Sequence, residues 1–387
     1  MKLAGRVKSL SSSPTLQITN KAKQLKKSGV DVVSFGAGEP DFDTPQYIKD
    51  AAVCALQQGM TKYTPSTGTA ALKEAIIGKL ERDNLLHYRP EQIVVSCGAK
   101  HALYSIFQVL CERGDEVIIP APYWVSYPEM VKVAEATPVF VGTGEKDGFK
   151  ITPKKLQAAL TKKTKAVIIN SPSNPTGAVY TKEELLEIAR IAAKEDIFVI
   201  SDEIYEKLIY GDARHYSIAG LDKEVYKRTF TVNGLSKAYS MTGWRIGYLA
   251  GPKEPVEKIS NLQDHSTSCP NSIAQAAAVT ALEGPDDFVN KMRDEFLKRR
   301  DYLVERISNM KNMSVFCPQG AFYAFSNISR VGLDSVTFAA RLLDEARVAV
   351  VPGVGFGDDK YIRLSFATSM EQITKGLDRI EEWVRKL

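Results

Sequence analysis

Short apolar runs alternate with longer helical runs along the chain up to residue 285. The apolar runs predict seven strands, at residues 93–96, 116–119, 139–141, 165–169, 198–201, 229–232 and 247–250. The clearest helix begins after Thr181, where Thr-Lys-Glu-Glu forms a capping box, and Leu185, Ile188 and Ala192 form its apolar face. This alternation is typical of βα units, and it predicts an α/β fold with a mostly parallel seven-stranded sheet between helices.

The pattern changes after residue 285. A long charged segment, 286–310, predicts an extended helix that joins two parts of the molecule. Shorter predicted elements follow it: a strand at 321–325, a helix at 336–345, a Gly-rich turn at 352–357 and a strand at 361–366. The first 45 residues show no βα pattern. We therefore predict a large domain at 46–290 and a smaller α+β domain made of residues 1–45 and 291–387.

The composition limits the classes of protein to consider. With 387 residues, of which 44% are hydrophobic and 25% charged, the chain can bury the cores of two globular domains. Its net charge of +5 is spread out, which argues against a nucleic-acid partner. Five widely spaced cysteines without a CxxC, and four histidines without metal-ligand spacing, indicate free thiols and no metal site. With no apolar leader and no membrane-length apolar run, we expect a cytoplasmic protein.

One loop carries the strongest chemical signal. Lys237 lies eight positions before Arg245, between the predicted strands at 229–232 and 247–250. An amine held there can form a Schiff base with a carbonyl cofactor, and a guanidinium can bind that cofactor's phosphate. Taken alone, Lys237 could also be an ordinary solvated loop lysine.

Two more predicted strands end in polar side chains. Asp202 ends the strand at 198–201 and is followed by Tyr205, while Asn174 lies in a Pro-rich loop after the strand at 165–169. Ligands gather at the carboxyl ends of parallel strands. A carboxylate there can pair with a protonated ring nitrogen, and a phenol or an amide can donate to a ring oxygen. The alternatives are a cap on the next turn for Asp202 and a plain turn for the loop.

Further candidates would bind an anion or a flat ring. The chain passes from the strand at 93–96 through Gly98 into a helix, so the free N–H groups near Gly98 and Ala99 can bind a phosphate. Trp124 follows the strand at 116–119 and could stack on a ring, or it could be a core residue. Arg363 lies in an alternating strand, where it could clamp a carboxylate or face solvent.

These motifs resemble the class I aminotransferases of the pyridoxal-phosphate fold type I superfamily. SKxxSMTGWRxGY, DEIY, SPxNPTG, PYWVSYP and GEPDFDTP all occur in the family's order, and the resemblance covers nearly the whole chain. The pattern is nearest to the bacterial-type aspartate aminotransferase subgroup. The resemblance implies the family's fold, with a large cofactor-binding domain and a smaller domain.

The resemblance implies cofactor contacts residue by residue. Lys237 matches the lysine that joins pyridoxal 5'-phosphate as a Schiff base, and Asp202 matches the partner of the pyridine nitrogen. The other matches are Tyr205 and Asn174 to the phenolic oxygen of the ring, Trp124 stacked on the ring, and Arg245, Ser236, Gly98, Ala99 and Tyr63 to the phosphate. Tyr63 would come from the other subunit of a homodimer with shared active sites.

Substrate contacts are implied in the same way. Arg363 matches the clamp on the substrate's α-carboxylate, with Trp124, Asn174 and the backbone of Gly38 beside it. Lys100 resembles a subgroup lysine that approaches the distal carboxylate of a dicarboxylic substrate.

The implied reaction is ping-pong transfer of the amino group from L-aspartate to 2-oxoglutarate, giving oxaloacetate and L-glutamate, with closure of one domain on the other. Two alternatives stay open at this point. One is another enzyme on the same scaffold, such as an aromatic, kynurenine or prephenate aminotransferase or a lyase. The other is a non-enzymatic ligand sensor, which would usually carry an added DNA-binding domain; no helix-turn-helix segment precedes Gly36.

Overall fold

The computed structural model describes residues 4–8, 10 and 14–387. Residues 1–3, 9 and 11–13, which belong to the predicted smaller domain, lie outside the described part. The strands are β1 (Val33–Ser34), β2 (Ile93–Ser96), β3 (Glu116–Ala121), β4 (Thr137–Gly142), β5 (Thr164–Asn170), β6 (Phe198–Asp202), β7 (Thr229–Gly234), β8 (Gly247–Ala250), β9 (Ser314–Val315), β10 (Tyr323–Asn327), β11 (Val348–Ala349), β12 (Val351–Pro352) and β13 (Tyr361–Ser365). The helices are α1 (Gly5–Lys8), α2 (Pro14–Lys27), α3 (Gln46–Gln57), α4 (Ala70–Asn84), α5 (Ala99–Leu110), α6 (Ser126–Val133), α7 (Pro153–Ala159), α8 (Lys182–Lys194), α9 (Lys223–Tyr226), α10 (Lys253–Asp264), α11 (Ser272–Glu283), α12 (Asp287–Ser308), α13 (Ser335–Ala346) and α14 (Met370–Arg385).

All seven strands predicted in the first part of the chain are present and form one sheet. Its strand order is β2-β8-β7-β6-β5-β3-β4. Strands β3 to β7 pair in parallel, whereas β8 runs antiparallel to both β2 and β7. Asn170 at the end of β5 lies opposite Asp202 at the end of β6. The predicted mostly parallel α/β sheet is therefore confirmed, and its carboxyl edge brings polar side chains together.

Successive residues of the central strands pack into two different cores, one on each face of the sheet. In β5, Ile168 packs into the core that contains α5 and α10, while Val167 and Ile169 pack into the core on the opposite face that contains α8. This double burial explains why these strands read as continuous apolar runs. The predicted capping box at the start of α8 is present, since Thr181 and Glu184 accept each other's backbone N–H groups.

A second core surrounds the C-terminal part of the chain. The sheet β12-β13-β10-β9 is antiparallel, and its core includes Phe296 of α12, Phe322, Phe338 of α13 and Trp383 of α14. The predicted long helix is α12. The N-terminal segment joins this part through parallel pairing of β1 with β11. The exact domain bounds, 46–290 against 1–45 and 291–387, stay a prediction.

Two expectations from composition have structural counterparts. All five cysteines are free thiols. Within residues 4–8, 10 and 14–387, no helix combines the length and the apolar character that a membrane span requires.

Candidate active site

A cavity of about 610 Å³ opens at the carboxyl edge of the large sheet. Eleven of the thirteen candidate residues line it: Gly38, Ala99, Lys100, Trp124, Asn174, Asp202, Tyr205, Ser236, Lys237, Arg245 and Arg363. Gly98 lies directly beneath the Arg245 guanidinium. Tyr63 does not line the cavity of its own chain, and its side chain is 89% exposed. The sequence therefore predicted one shared location for side chains that are scattered along the chain.

Lys237 follows β7 and extends into the cavity. Its half-buried amine donates a hydrogen bond to the carbonyl oxygen of Gly38. The pKa of Lys237 is lowered to about 8, mainly by burial; the Glu39 and Asp202 carboxylates act to raise it, and the nearby charges of Arg363 and Arg245 act in the same direction as burial. The ammonium therefore loses its proton more easily than an exposed lysine does, which suits a nucleophile or a general base.

Asp202 is a buried carboxylate at the end of β6. Its Oδ2 accepts a hydrogen bond of 2.6 Å from the Tyr127 hydroxyl, and its Oδ1 accepts one of 3.3 Å from the Ile204 N–H. Burial raises its pKa to about 6 in spite of these two bonds. In the described part of the chain no cationic side chain forms an ion pair with Asp202, so this carboxylate can accept a cationic N–H from a ligand.

Two asparagines connect the neighbouring loop to the site. Asn170 accepts the Asn174 N–H at 2.9 Å and donates to the Asp202 carbonyl oxygen at 3.0 Å. The Oδ1 of Asn174 in turn accepts a 3.0 Å hydrogen bond from Nη1 of Arg363. This accepted bond fixes the Asn174 amide so that its N–H₂ group remains available as a donor.

Arg363 is a buried cation whose partners here are neutral. Its Nη2 donates to the carbonyl oxygen of Gly36 at 3.3 Å, and its guanidinium carbon lies 4.3 Å from the Tyr323 ring centroid and 5.0 Å from that of Phe356. Its Nε has no hydrogen-bond partner, and among the described residues no carboxylate pairs with it. Burial lowers the pKa of Arg363. A desolvated guanidinium without a counter-ion is suited to binding a carboxylate.

A pocket for an anion forms where Arg245 crosses the start of α5. Arg245 has a left-handed backbone with φ of 58° and donates to the carbonyl oxygens of Thr242 at 2.8 Å and Cys97 at 3.1 Å. Gly98, with φ of 89°, precedes α5, and a Cβ there would lie 2.4 Å from Nη2 of Arg245. Only glycine therefore lets the guanidinium lie over the free N–H groups of the helix start.

Lys100 and Trp124 lie on one side of the cavity. The Lys100 Nζ is 4.9 Å from the centroid of the Trp124 ring, which meets Tyr127 edge to face with centroids 5.3 Å apart. Desolvation and the charge of Arg245 lower the pKa of Lys100. The cavity thus has an indole face and, in Lys100, a further cationic side chain in addition to Lys237, Arg245 and Arg363.

Among the cavity residues that the sequence analysis did not single out, three contact predicted site residues through their side chains in a way that bears on the chemistry: Tyr127, Asn170 and Tyr323. Tyr127 and Asn170 lie within or beside motifs that were recognised, but the hydrogen bonds that connect them to Asp202 could not be inferred from sequence spacing. Tyr323 lies in an alternating run of aromatic and small residues, a pattern that looks like core strand. It is nevertheless part of the cavity wall.

Comparisons with known proteins agree with this geometry. A family model described as aminotransferase class I and II matches residues 30–380. An aspartate aminotransferase from Bacillus sp. (strain YM-2) is 53% identical over 99% of this chain and 99% of that protein. A probable aspartate/prephenate aminotransferase from Aquifex aeolicus (strain VF5) is 48% identical over 100% of this chain and 99% of that protein. The crystal structure of the aspartate aminotransferase from Rhizobium meliloti is similar with a TM-score of 0.97 at 40% identity, covering 100% of both chains. The resemblance read from the motifs is confirmed, and the chain is a member of the class I and II aminotransferase family.

Proposed function

We propose that this aminotransferase binds pyridoxal 5'-phosphate and transfers the amino group of L-aspartate to 2-oxoglutarate, giving oxaloacetate and L-glutamate. The observation that carries the proposal is the convergence of three unusual groups on one cavity. These are an amine with a pKa of about 8 at Lys237, a buried carboxylate at Asp202 and a guanidinium without a counter-ion at Arg363.

The residues of the cavity fit this cofactor. Arg245, Ser236 and the start of α5 would hold its phosphate. Because Gly98 has no Cβ, the Arg245 guanidinium has room to lie over that helix start. Asp202 would accept the ring N–H, Trp124 would stack on the ring, and Tyr205 and Asn174 would donate to its oxygen. When bound, pyridoxal phosphate supplies an electron sink for charge that develops at the substrate's Cα.

The residues of the chain supply positioning and proton transfer. Arg363 would bind the substrate's α-carboxylate in a fork of two parallel hydrogen bonds and so orient the Cα–H bond. Lys237 remains tethered in the same cavity, with a pKa of about 8 that suits a base near neutral pH. It would take the proton from Cα and return it later in the cycle. Because each half-reaction releases its product before the next substrate binds, the kinetics should be ping-pong.

The preference for a dicarboxylic donor rests on Lys100. Its ammonium lies beside Trp124 in the wall of the same cavity that Arg363 lines. One carboxylate of aspartate would bind Arg363, and the other would approach Lys100. The names of the relatives from Bacillus and Rhizobium support aspartate, and the name of the relative from Aquifex supports prephenate as an additional oxo-acid substrate.

We also propose a homodimer in which Tyr63 of one copy reaches the phosphate in the other. The support is that Tyr63 is highly exposed in the single chain and that Val53 and Leu56 of α3 are exposed apolar residues. A mass in solution twice that of the chain is the expected result. The cytoplasmic location stays a prediction.

An absorption spectrum tests cofactor and substrate together. Purified protein loaded with pyridoxal phosphate should show a visible band that bleaches with aspartate and returns when 2-oxoglutarate is added. Phenylalanine and kynurenine serve as control donors, and prephenate as a second acceptor. Bleaching by phenylalanine or kynurenine but not by aspartate would contradict the aspartate assignment, and a band that no donor changes would favour a ligand sensor.

A further inference from the structure

Tyr323 touches two of the proposed site residues but has no role so far. It belongs to β10, is fully buried and lines the cavity. Its hydroxyl lies 3.0 Å from the Tyr205 hydroxyl, and its ring lies 4.3 Å from the guanidinium carbon of Arg363. One side chain therefore contacts both the residue proposed to donate to the cofactor ring and the residue proposed to bind the substrate carboxylate.

The direction of the hydroxyl contact follows from counting protons. A phenol has one proton to donate and an oxygen that can accept. Burial raises the pKa of both Tyr205 and Tyr323, so both hydroxyls keep their protons at neutral pH. If Tyr205 gives its proton to the oxygen of the cofactor ring, the bond between the two tyrosines must be donated by Tyr323. Donation into the Tyr205 oxygen makes its own O–H a stronger donor.

The ring contact has a separate role. Arg363 is buried among Asn174, the Gly36 carbonyl and two aromatic rings, with its Nε unpaired. The negative face of a tyrosine ring attracts a cation, and the attraction is strongest where water is excluded. The Tyr323 ring thus compensates the charge of Arg363 and holds the guanidinium plane in place before a carboxylate arrives.

We propose that Tyr323 is a positioning residue with two separable effects, one exerted by its hydroxyl through Tyr205 on the cofactor ring and one exerted by its ring through Arg363 on carboxylate binding. The proposal rests on the proposed function. Two substitutions separate the effect of the hydroxyl from the effect of the ring. Tyr323→Phe removes only the hydroxyl, and Tyr323→Leu removes the ring as well.

Two measurements other than turnover separate the effects. The first is the pH midpoint of the visible band of the cofactor-loaded enzyme. Tyr323→Phe should raise this midpoint by about one pH unit, because weaker donation leaves more negative charge on the ring oxygen and favours the protonated form. The second is the dissociation constant of succinate, a dicarboxylate without an amino group, measured by calorimetry on the cofactor-free protein. Tyr323→Phe should leave it unchanged, whereas Tyr323→Leu should weaken binding about tenfold.

Tyr361→Phe is the matched control, because Tyr361 belongs to the neighbouring strand β13 and stacks on Phe325. It should change neither readout. The proposal is overturned if the visible band of Tyr323→Phe has the same pH midpoint as that of Tyr361→Phe. It is also overturned if Tyr323→Leu binds succinate as tightly as the unchanged protein. Thermal unfolding of each variant identifies a folding defect, and Tyr323→Phe, which keeps the ring, tests the hydroxyl even if Tyr323→Leu does not fold. Failure of the unchanged protein to form a band would instead refute the proposed function.

Discussion

The turn that ends β6 separates two buried polar regions with opposite character. Asp202 and Tyr205 face the cavity, while Glu203 and Glu206, which alternate with them in the chain, face the other way. The residues on that other side form what we call the back cluster: Lys79, Asn84, Glu203, Glu206, His215 and Ser217. Both regions bury carboxylates and cations, but only one of them pairs these charges.

In the back cluster each charge has a nearby partner. Lys79 pairs with Glu206 and donates to Asn84 at 2.6 Å, and Asn84 donates to Glu206 at 2.8 Å. Glu203 accepts the His215 Nε2–H at 2.9 Å and the Ser217 hydroxyl at 2.6 Å. One ligand atom each of Glu203, Glu206 and His215 lies within 4.8 Å of the others, but Lys79 already pairs with Glu206, and His215 with Glu203.

The pKa values of two buried carboxyls express the difference. Burial would raise the pKa of Glu206, but Lys79 and His215 outweigh it and lower the pKa to about 2. Asp202 has no ion-pair partner among the described residues, and burial raises its pKa to about 6 although the nearby charge of Lys237 acts in the opposite direction. Paired charges hold the fold together, whereas the unpaired charges of the cavity make a site ready for ligands at a cost in stability. Substitutions in the two regions should therefore have opposite consequences for activity and stability.

The largest effect is expected for Lys237→Ala. Loss of the tethered base and nucleophile should reduce transamination by about 10⁴-fold or more, measured with saturating aspartate and 2-oxoglutarate. The free energy of unfolding of the cofactor-free protein should stay the same or rise, because a partly buried amine with a lowered pKa is removed. Activity close to that of the unchanged protein would show that Lys237 is neither the nucleophile nor the general base.

The next effect is expected on stability. Glu206→Gln leaves the Lys79 ammonium buried without its counter-ion, which should lower the free energy of unfolding by about 3–5 kcal/mol in urea at pH 7. The folded-state pKa of about 2 lies below the ordinary value of 4.5, so the ionised pair contributes fully above pH 4.5 and is lost as the pH falls toward 2. The difference between the two proteins should shrink over that interval.

Asp202→Asn is the matched comparison on the other side of the turn. It removes a carboxylate whose pKa is raised by burial, so stability should not fall at neutral pH, while activity should fall strongly. A loss of stability in Asp202→Asn as large as that in Glu206→Gln would show that the two regions do not differ as described.

The sequence predicted the cavity side of this turn far better than the back cluster. Asp202, Lys237 and Asn174 were recognised because each follows an apolar strand, and parallel strands bring their carboxyl ends to one edge. The same motif contains Glu203, but its partner Asn84 is 119 positions away, at the end of helix α4. Pairing at that range depends on how α4 packs under the sheet, and no local pattern encodes it.

A smaller effect is expected for Arg363→Lys, which keeps the positive charge but loses the fork. An ammonium cannot form two parallel bonds to a carboxylate or reproduce the contact between the guanidinium and the Tyr323 ring. The Michaelis constant should rise roughly 10- to 100-fold, in line with the loss of one charge-assisted hydrogen bond. The rise should be similar for every amino donor, because all of them carry the α-carboxylate. A rise for aspartate alone would assign Arg363 to the distal carboxylate instead.

The smallest expected effect is a difference in lysine reactivity along the cofactor-free chain. Lys237, with its pKa lowered to about 8 by burial, should react half-maximally with an amine-selective acylating reagent near pH 8. Lysines with ordinary pKa values near 10.4 should require a pH about two units higher. Quantifying each modified lysine by peptide mass spectrometry across pH 6–11 gives both profiles in one experiment.

Lys79, buried in the back cluster and paired with Glu206, should hardly react at any of these pH values. Equal midpoints for Lys237 and the exposed lysines would show that the cavity does not lower this pKa, and the contrast between the two sides of the β6 turn would then rest on pairing geometry alone.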